Sequence, residues 1–341
     1  MKKNSSSKIP VIVIFAPTAS GKTALTKELF SASGSHFILN SEVVSADSMQ
    51  VYKGMNIGTA KPDKEFCAQI PHHLIDLFEP DCQFNVSDFV SMADKECEDL
   101  FNKGKIPVVC GGTGFYIRNF LYGVPPTPES DETLRNQLKE RISCEGNEAL
   151  YAELLSIDPE SAKKIHVNDS YRICRALEVY YLTGKKRSEY TNENNNSALR
   201  DKYDFLFIVL VPPRDVLYER IKLRVDLMFQ QGLKEEFISL LEKGFTKETP
   251  GMKAIGYSEF FNYFSEGDSI EEIKRKIDFH LDEIIYDIKH HSCKYAKKQY
   301  TYIRDIPDSI KVDFKAEKED LTKIKELIQK FISTIDHKIN L

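Results

Sequence analysis

The stretch that decides the fold is VIVIFAPTASGKTALTKELF, residues 11–30. Its first five residues are apolar and rich in β-branched side chains, which predicts a buried strand. A short polar turn follows, and then Ala24, Leu25, Leu29 and Phe30 recur with the spacing of one helix face. The stretch therefore predicts a strand, a tight turn and a helix in direct succession.

The turn between strand and helix, APTASGKT at 16–23, fits the phosphate-binding pattern G-x-x-x-x-G-K-[ST], except that Ala16 replaces the first glycine. Backbone N–H groups from Ala19 to Thr23 can converge on phosphate oxygens at a helix N-terminus, where the peptide dipoles favour an anion. Lys22 adds a positive charge, and the Thr23 hydroxyl can hold Mg²⁺. The alternative is an ordinary strand–turn–helix with a chance GKT. The pattern favours a protein that binds a di- or triphosphate, without specifying which.

The composition is that of an ordinary soluble globular enzyme. The chain has 341 residues, enough for one large or two modest domains, with 41% hydrophobic and 29% charged residues. No apolar run approaches the roughly 18 residues that span a bilayer, and residues 1–7 lack a signal-peptide core. The seven cysteines are scattered without a C-x-x-C pair, which indicates reduced thiols. We expect a cytoplasmic protein with no membrane partner.

Positive charge is concentrated in two stretches of a chain whose net charge is −5. Residues 163–187 hold seven Lys/Arg against two acids, and residues 288–304 hold five with no acid. Local basic faces in an acidic protein suit a specific polyanionic partner, although solvated helix faces would produce the same pattern.

Strands alternate with helices in the first third of the chain, which predicts βαβ units and a parallel sheet. Further strands are predicted within 36–47, 72–78 and 106–110, with helices over 86–102 and from about residue 115. Helical signals alone occupy 131–184, residues 191–197 read as a polar loop, and 205–211 returns as a buried strand. Beyond it we predict helices over 214–230, 234–243, 253–265 and 270–301, then a final amphipathic helix that packs on the core.

The domain organisation follows from that order. Residues 8–128 form the first part of an α/β core of the P-loop type, with helices flanking a parallel sheet. Residues 129–199 form an all-helical insertion. Residues 200–310 complete the core, and 311–341 carry the C-terminal helix.

Three segments should meet the phosphate loop because each follows a core strand: Asp47 with its loop, residues 111–113, and the helix after residue 211. That helix holds Arg214, Arg220 and Arg224. Arg220 and Arg224 are four residues apart, so one or both can point at a bound diphosphate. Surface ion pairs with nearby aspartates are the alternative for each.

Seven stretches together resemble the tRNA dimethylallyltransferases of bacterial type, in order from about residue 9 to 304. They are VSADSMQVYKGMNIGTAKP (44–62), PHHLID (71–76), GGTGFY (111–116), DSYRICRALEVYYLTGK (169–185), RIKLRVDLM (220–228), GMKAIGYSEF (251–260) and YAKKQYTYIR (295–304). No Cys/His pattern for the zinc finger of some eukaryotic relatives follows them. The combination is specific, although each piece alone is weak.

The resemblance implies transfer of a dimethylallyl group from dimethylallyl diphosphate to N6 of the adenosine beside the anticodon, position 37, in tRNAs that read codons beginning with U. It implies Mg²⁺, with Thr23 as a metal ligand, and the tRNA anticodon stem-loop as partner of a monomeric enzyme. The nucleotide-binding loop would hold a diphosphate without phosphoryl transfer.

The resemblance also assigns residues. Asp47 would accept the proton of the amine and Thr113 would hydrogen-bond near the reacting groups. The diphosphate would be bound by Thr18, Ala19, Ser20, Gly21, Lys22, Thr23 and Arg224. The tRNA would be contacted by Asp47, Ser48, Met49, Gln50, Thr113, Arg135, Tyr171, Arg172, Ile173, Cys174 and Arg175. A helix cap or turn former is the alternative for Asp47.

Other functions remain open at this stage. An isoprenoid transferase acting on free adenine nucleotides would use the same loop, and a small-molecule kinase would transfer phosphate from ATP. A non-catalytic RNA-binding P-loop module would keep RNA binding without chemistry. His72 and His73 invite a metal site, but adjacent strand residues point to opposite sides and no third ligand is evident.

Overall fold

The computed structural model describes residues 8–38, 41–193 and 198–336. Contacts divide them into two compact units, one of residues up to 121 and from 200 onward, the other of residues 122–199. The first is an α/β core and the second is all-helical, as the hydrophobic patterns predicted.

The core is built on one parallel sheet of six strands in the order β3-β2-β4-β1-β5-β6. The strands are β1 (Ile9–Phe15), β2 (Val43–Ser45), β3 (His72–His73), β4 (Val108–Gly111), β5 (Tyr203–Val211) and β6 (Ile310–Asp313). β1 lies between β4 and β5, pairing Phe15 with both Gly111 and Val209. The carboxyl ends of these three strands therefore lie side by side, at the edge where parallel sheets bind ligands.

Helices cover both faces of the sheet. The core helices are α1 (Lys22–Phe30), α2 (Lys64–Gln69), α3 (Val86–Asn102), α4 (Gly114–Tyr122), α10 (Arg214–Gln230), α11 (Leu233–Glu242), α12 (Ile270–Phe279), α13 (Leu281–Asp305) and α14 (Lys318–Asp336). On one face α1 and α14 pack against Ile12, Ile14 and Ile208. Strand side chains alternate, so Tyr203 and Phe205 face the other side, where Phe120 of α4 packs on both.

Most core elements confirm the sequence predictions, including α3, α10 and the packing of α14 on the core. β6 was not anticipated: it is four residues long and only Val312 of it is buried. The helix predicted over 253–265 is wrong. Two 3₁₀ turns, Gly251–Lys253 and Ser258–Asn262, replace it, because Ala254 is extended and Gly256 has a φ of 99°. The helix predicted over 270–301 is two helices, with a break at His280.

The helical unit contains α5 (Glu132–Glu145), α6 (Asn147–Ile157), α7 (Pro159–Ala162), α8 (Ser170–Thr183) and α9 (Arg187–Glu193). Its small core joins α5, α6 and α8 through residues such as Leu138, Leu150, Leu154, Ile173 and Leu177. The polar loop predicted over 191–197 was wrong in its first part, since α9 extends to residue 193; residues 194–197 lie outside the described residues. No helix in the described ranges combines the length and apolarity that crossing a membrane requires.

Candidate active site

The phosphate loop connects β1 to α1, and two of its residues have a left-handed backbone conformation. Ala19 and Gly21 have φ values of 57° and 93°, both in the left-handed region. Ser20 between them is not among the residues with positive φ, and such alternation turns successive amides inward to form an anion-binding nest. The N–H groups in the first turn of α1 have no intrahelical partner, and no side chain caps them. Ala16 is not among the residues with positive φ, so glycine is not required there.

Lys22 lies folded over this loop. Its Nζ donates to the carbonyl oxygens of Ala16 at 3.0 Å and Pro17 at 2.9 Å. The pKa of the Lys22 ammonium is lowered to about 8, chiefly by burial; the charge of Arg224 acts in the same direction, and Cys110 and Asp47 oppose it. Behind it, burial raises the pKa of the Cys110 thiol to about 11, so this cysteine stays neutral. The ammonium is thus held at the loop in a desolvated position without a full counter-charge.

Arg224 of α10 is the arginine that reaches the loop. Its Nη1 donates to Thr18 Oγ1 at 3.2 Å, and burial lowers the pKa of its guanidinium. Arg220, one turn earlier, donates instead to the carbonyl oxygen of Lys315, and Arg214 lies over the ring of Tyr300. Within the described residues neither Arg224 nor Lys22 forms a salt bridge. Two half-buried cations that form no salt bridge flank the nest, which is an arrangement that favours an anionic ligand.

Asp47 follows β2 and lines a cavity of about 290 Å³ together with Thr18 and Arg224. Its Oδ1 accepts from the backbone N–H groups of Met49 at 2.9 Å and Gln50 at 3.3 Å, so the residue does shape a turn. The turn occupies that oxygen and leaves the carboxylate partly exposed to the cavity. Asp47 is therefore both the turn former and a carboxylate facing the space beside the loop.

Thr113 ties the segment after β4 to the segment after β2. Its Oγ1 accepts from the backbone N–H of Ser48 at 3.1 Å, and its own N–H donates to the Ala46 carbonyl oxygen. Tyr295 of α13 lies near Thr113 and lines the same cavity as Asp47. Burial and the nearby Asp47 charge raise the pKa of Tyr295 to about 12, so the phenol stays protonated. Hydroxyl groups therefore line the cavity next to Asp47.

Gln299 of α13 is a site residue that the sequence analysis did not single out. It is 2% exposed, accepts from the Thr18 backbone N–H at 3.0 Å, and donates through Nε2 to the Gly112 carbonyl oxygen at 2.6 Å. A Cβ on Gly112 would lie 2.8 Å from Nε2, so glycine is needed for this approach. One amide thus joins the loops after β1 and β4 and engages the Thr18 N–H, while the Thr18 hydroxyl accepts from Arg224 and Thr18 lines the cavity.

Glu236 of α11 is a second residue that was missed. Its carboxylate accepts from the backbone N–H groups of Asn56, Ile57 and Gly58 and from the Tyr257 hydroxyl at 2.6 Å. Gln50, predicted to contact tRNA, donates its Nε2 to the carbonyl oxygens of Thr59 and Ala60. Both side chains therefore hold the loop after β2, whose residues 58 and 59 line the cavity.

The residues predicted in the helical unit divide by exposure. Tyr171 is 71% exposed with Arg135 5.7 Å from its ring centre, and Arg172 is exposed beside Asp169. Ile173 and Cys174 are buried in the unit's core, so their prediction as tRNA contacts is not supported for their side chains. Arg175 and Arg135 both form ion pairs with the buried Glu178, so they stabilise the helical unit.

The two adjacent histidines at β3 have separate partners. His73 lies between Glu42 and Glu96, at 2.6 and 2.9 Å, and His72 Nδ1 contacts the Ile70 carbonyl oxygen. Across the described ranges no three His, Cys, Asp or Glu side chains are grouped to hold a metal.

Comparison with known proteins gives a consistent result. The model of the IPP transferase family matches residues 50–306. The tRNA dimethylallyltransferase of Geobacter sulfurreducens is 38% identical over 95% of this chain and 98% of its own. A tRNA isopentenylpyrophosphate transferase structure from Staphylococcus epidermidis aligns with a TM-score of 0.63 and 35% identity, covering 96% of this chain and 99% of its own. The structure of a eukaryotic dimethylallyltransferase acting on tRNA aligns with a TM-score of 0.75 and 29% identity, over 96% of this chain and 80% of its own.

Proposed function

The chain belongs to the IPP transferase family, and we propose that it transfers the dimethylallyl group of dimethylallyl diphosphate to N6 of adenosine 37 in tRNAs that read codons beginning with U. One observation supports this most: two half-buried cations without a salt bridge, Lys22 and Arg224, meet the phosphate nest, and the Asp47 carboxylate lines the cavity that Arg224 also lines. A leaving diphosphate and an incoming amine require these opposite charges in one place.

The chemistry balances with the groups present. N6 attacks C1 of the allylic chain, the C1–O bond breaks, and its electron pair leaves on the diphosphate. The cradle of 18–23 with Lys22 and Arg224 stabilises that developing charge, which is generally the largest single contribution to such a reaction. The adenine amine is a poor nucleophile whose proton becomes acidic as the N–C bond forms, so Asp47 accepts that proton.

Mg²⁺ fits the same site by its donor chemistry. The Thr23 side chain is exposed at the first turn of α1, and Thr26 hydrogen-bonds the Thr23 carbonyl oxygen, not its hydroxyl. Ser20 Oγ is fully buried without a hydrogen-bond partner in the described part of the chain. Hard oxygen ligands of this kind, together with diphosphate oxygens, are what Mg²⁺ takes. Thr23 would hold the ion, which would supply further neutralisation of the leaving group.

The helical unit offers the RNA-facing surface in this proposal. Tyr171 presents an exposed ring that Arg135 orients, suited to stacking on an unpaired base, and Arg172 supplies a positive charge for a phosphate. An anticodon-loop adenosine is already poorly stacked, so moving it into the cavity costs a few kcal/mol at most. We propose a monomer acting on one anticodon stem-loop.

The test is incubation of the protein with dimethylallyl diphosphate, Mg²⁺ and unmodified tRNA, followed by mass analysis of the nucleosides. We expect one dimethylallyl group on an adenosine, placed at position 37 by sequencing of the digest. Two further assays test the alternatives. One offers AMP in place of tRNA, and the other measures phosphate transfer from ATP. Modification of AMP but not tRNA, or phosphate transfer without prenylation, would overturn the proposal.

A further inference from the structure

The cavity beside the phosphate loop has two chemically different walls. One carries hydrogen-bonding groups, among them Asp47, Ser48 and Thr59. The other is formed by α10 and α13 and carries an apolar patch of Ile221, Val225, Met228 and Ile288, none of them more than 8% exposed, next to Arg224, Ser292 and Tyr295. The two walls therefore suit different parts of a substrate.

The apolar wall is continuous with the diphosphate site. Ile221, Val225 and Met228 are spaced i, i+4, i+7 and so form one stripe along α10. Arg224, which donates to Thr18 at the loop, lies on the same turns. Met228 is four residues beyond Arg224, about 6 Å along the helix axis. A chain attached to a diphosphate at Thr18 and Arg224 would therefore meet this stripe.

The distribution of polar groups decides which substrate part takes which wall. A purine carries ring nitrogens and an amine that lose free energy if buried without hydrogen-bond partners. A prenyl tail has no such groups and gains from apolar contact. The purine therefore belongs at the Asp47 wall and the prenyl tail at the α10 stripe.

We propose that the α10 stripe, with Met228 at its far end, restricts the prenyl donor to five carbons; this inference rests on the proposed function. The cavity volume of about 290 Å³ is at the small end of ligand cavities, roughly 300–1,000 Å³, and it must hold the tail together with part of the purine. A second isoprene unit would lie at the Met228 end of the stripe and would compete with that side chain for space. Met228 is then a specificity-determining residue for the length of the donor.

The experiment compares kcat/KM for dimethylallyl and geranyl diphosphate, with tRNA as acceptor, in the natural protein, Met228→Ala and Leu227→Ala. Leu227 is the matched control, because it precedes Met228 on α10 and is 44% exposed. One methylene in an apolar pocket discriminates by about 10- to 200-fold, so we expect the natural protein to prefer the five-carbon donor by at least about 100-fold. Met228→Ala should shift the ratio towards geranyl by about tenfold or more, and Leu227→Ala should leave it unchanged.

Calorimetry with unreactive thiolodiphosphates of both chain lengths measures the same preference without transfer. A natural protein that transfers neither group would overturn the proposed function, while the ratio of the two affinities would still decide the present inference. Val225→Ala widens the same stripe and replaces Met228→Ala if that variant fails to fold by circular dichroism. An equal ratio for all variants, or the same shift in Leu227→Ala, would show that the stripe does not select chain length.

Discussion

The positive charges of the core site and those of the helical unit are arranged in opposite ways. In the core, Lys22 and Arg224 are half-buried at the phosphate loop and contact carbonyl and hydroxyl oxygens, without a salt bridge in the described residues. In the helical unit, Arg135 and Arg175 approach the buried Glu178 carboxylate at 3.1 and 2.7 Å. The Glu178 carboxylate also accepts from the Asp131 backbone N–H at 2.8 Å.

This difference distinguishes cations that bind a ligand from cations that stabilise the fold. A buried cation costs free energy unless an anion compensates it. Where the protein supplies the anion, as Glu178 does, the pair holds a fold together. Where the protein supplies no anion, the cation lowers the stability of the free protein, and binding of an anionic ligand offsets that loss. The burial-lowered pKa of Lys22 is one measure of that cost.

The largest expected effect comes from removing the charge of Asp47 while keeping its turn. Asp47→Asn retains a side-chain oxygen for the N–H groups of Met49 and Gln50 but cannot accept the amine proton. We expect kcat to fall by about 10² to 10⁴, the usual contribution of a general base, with tRNA affinity little changed. Single-turnover prenylation and filter binding measure the two quantities. Turnover near that of the natural protein would remove Asp47 from the chemistry.

The counterpart in the helical unit is Glu178→Gln, which leaves two guanidinium groups beside a neutral amide. Breaking a buried ion pair by neutralising one partner costs about 3–5 kcal/mol, so we expect the unit to lose about that much stability. Urea denaturation followed by circular dichroism measures the loss. The affinity of the core for diphosphate should be unaffected. A variant as stable as the natural protein would mean that this cluster is not structural.

The pKa of Lys22 gives the site a defined pH dependence. The free protein loses the Lys22 proton as pH rises through about 8, whereas a bound anion favours the protonated form. The Kd for diphosphate should therefore be level below pH 8, as far as Lys22 is concerned, and rise above it by up to about tenfold per pH unit. Calorimetry from pH 6.5 to 9.5 measures this Kd. The same titration of Lys22→Met shows how much of the pH dependence comes from the ionisation of diphosphate itself. Parallel profiles for both proteins would contradict the assignment.

The smallest effect is expected at Arg172, which is exposed and only weakly held by Asp169. Arg172→Ala should weaken tRNA binding a few-fold and reduce the slope of log K against log salt by about one. Arg175→Ala should instead lower stability, because Arg175 pairs with Glu178 and donates to the Pro128 carbonyl oxygen. Identical salt slopes for Arg172→Ala and the natural protein would exclude the phosphate contact.

Much of the core followed from the sequence because its signals are local. The phosphate loop has a motif, α3 carries an apolar stripe behind a capping box of Asn85 and Asp88, and α10 begins directly after Pro212 and Pro213. β6 gave no such signal, since Ile310–Asp313 is a short edge strand with charged residues on it. The turns around Gly256 follow from its φ of 99°, which a helix does not allow, and the chain breaks at His280 although Ile277 and Ile284 keep helical spacing.

The sequence predicted the phosphate-binding motif of the site, but not which groups its arginines and Gln299 contact. Arg220 and Arg224 look equivalent in sequence, and only the fold sends one to Lys315 and the other to Thr18. Arg172 and Arg175 were likewise treated as a pair, but the ion pair with Glu178 separates them. Gln299 carried a signal that was available: it falls on the apolar stripe of α13 with Ala296 and Ile303, and a polar residue on a buried face needs a partner.

Binding of Mg²⁺-diphosphate tests the central claim most directly, measured by calorimetry on the natural protein, Arg224→Gln and Arg220→Gln. The two variants remove the same charge from the same helix, one turn apart. Charge-assisted hydrogen bonds contribute about 1.5–3 kcal/mol, so Arg224→Gln should weaken binding by about 10- to 100-fold, with Arg220→Gln close to the natural protein. Equal affinities for the two variants would contradict the claim that the cations at the phosphate loop bind the diphosphate.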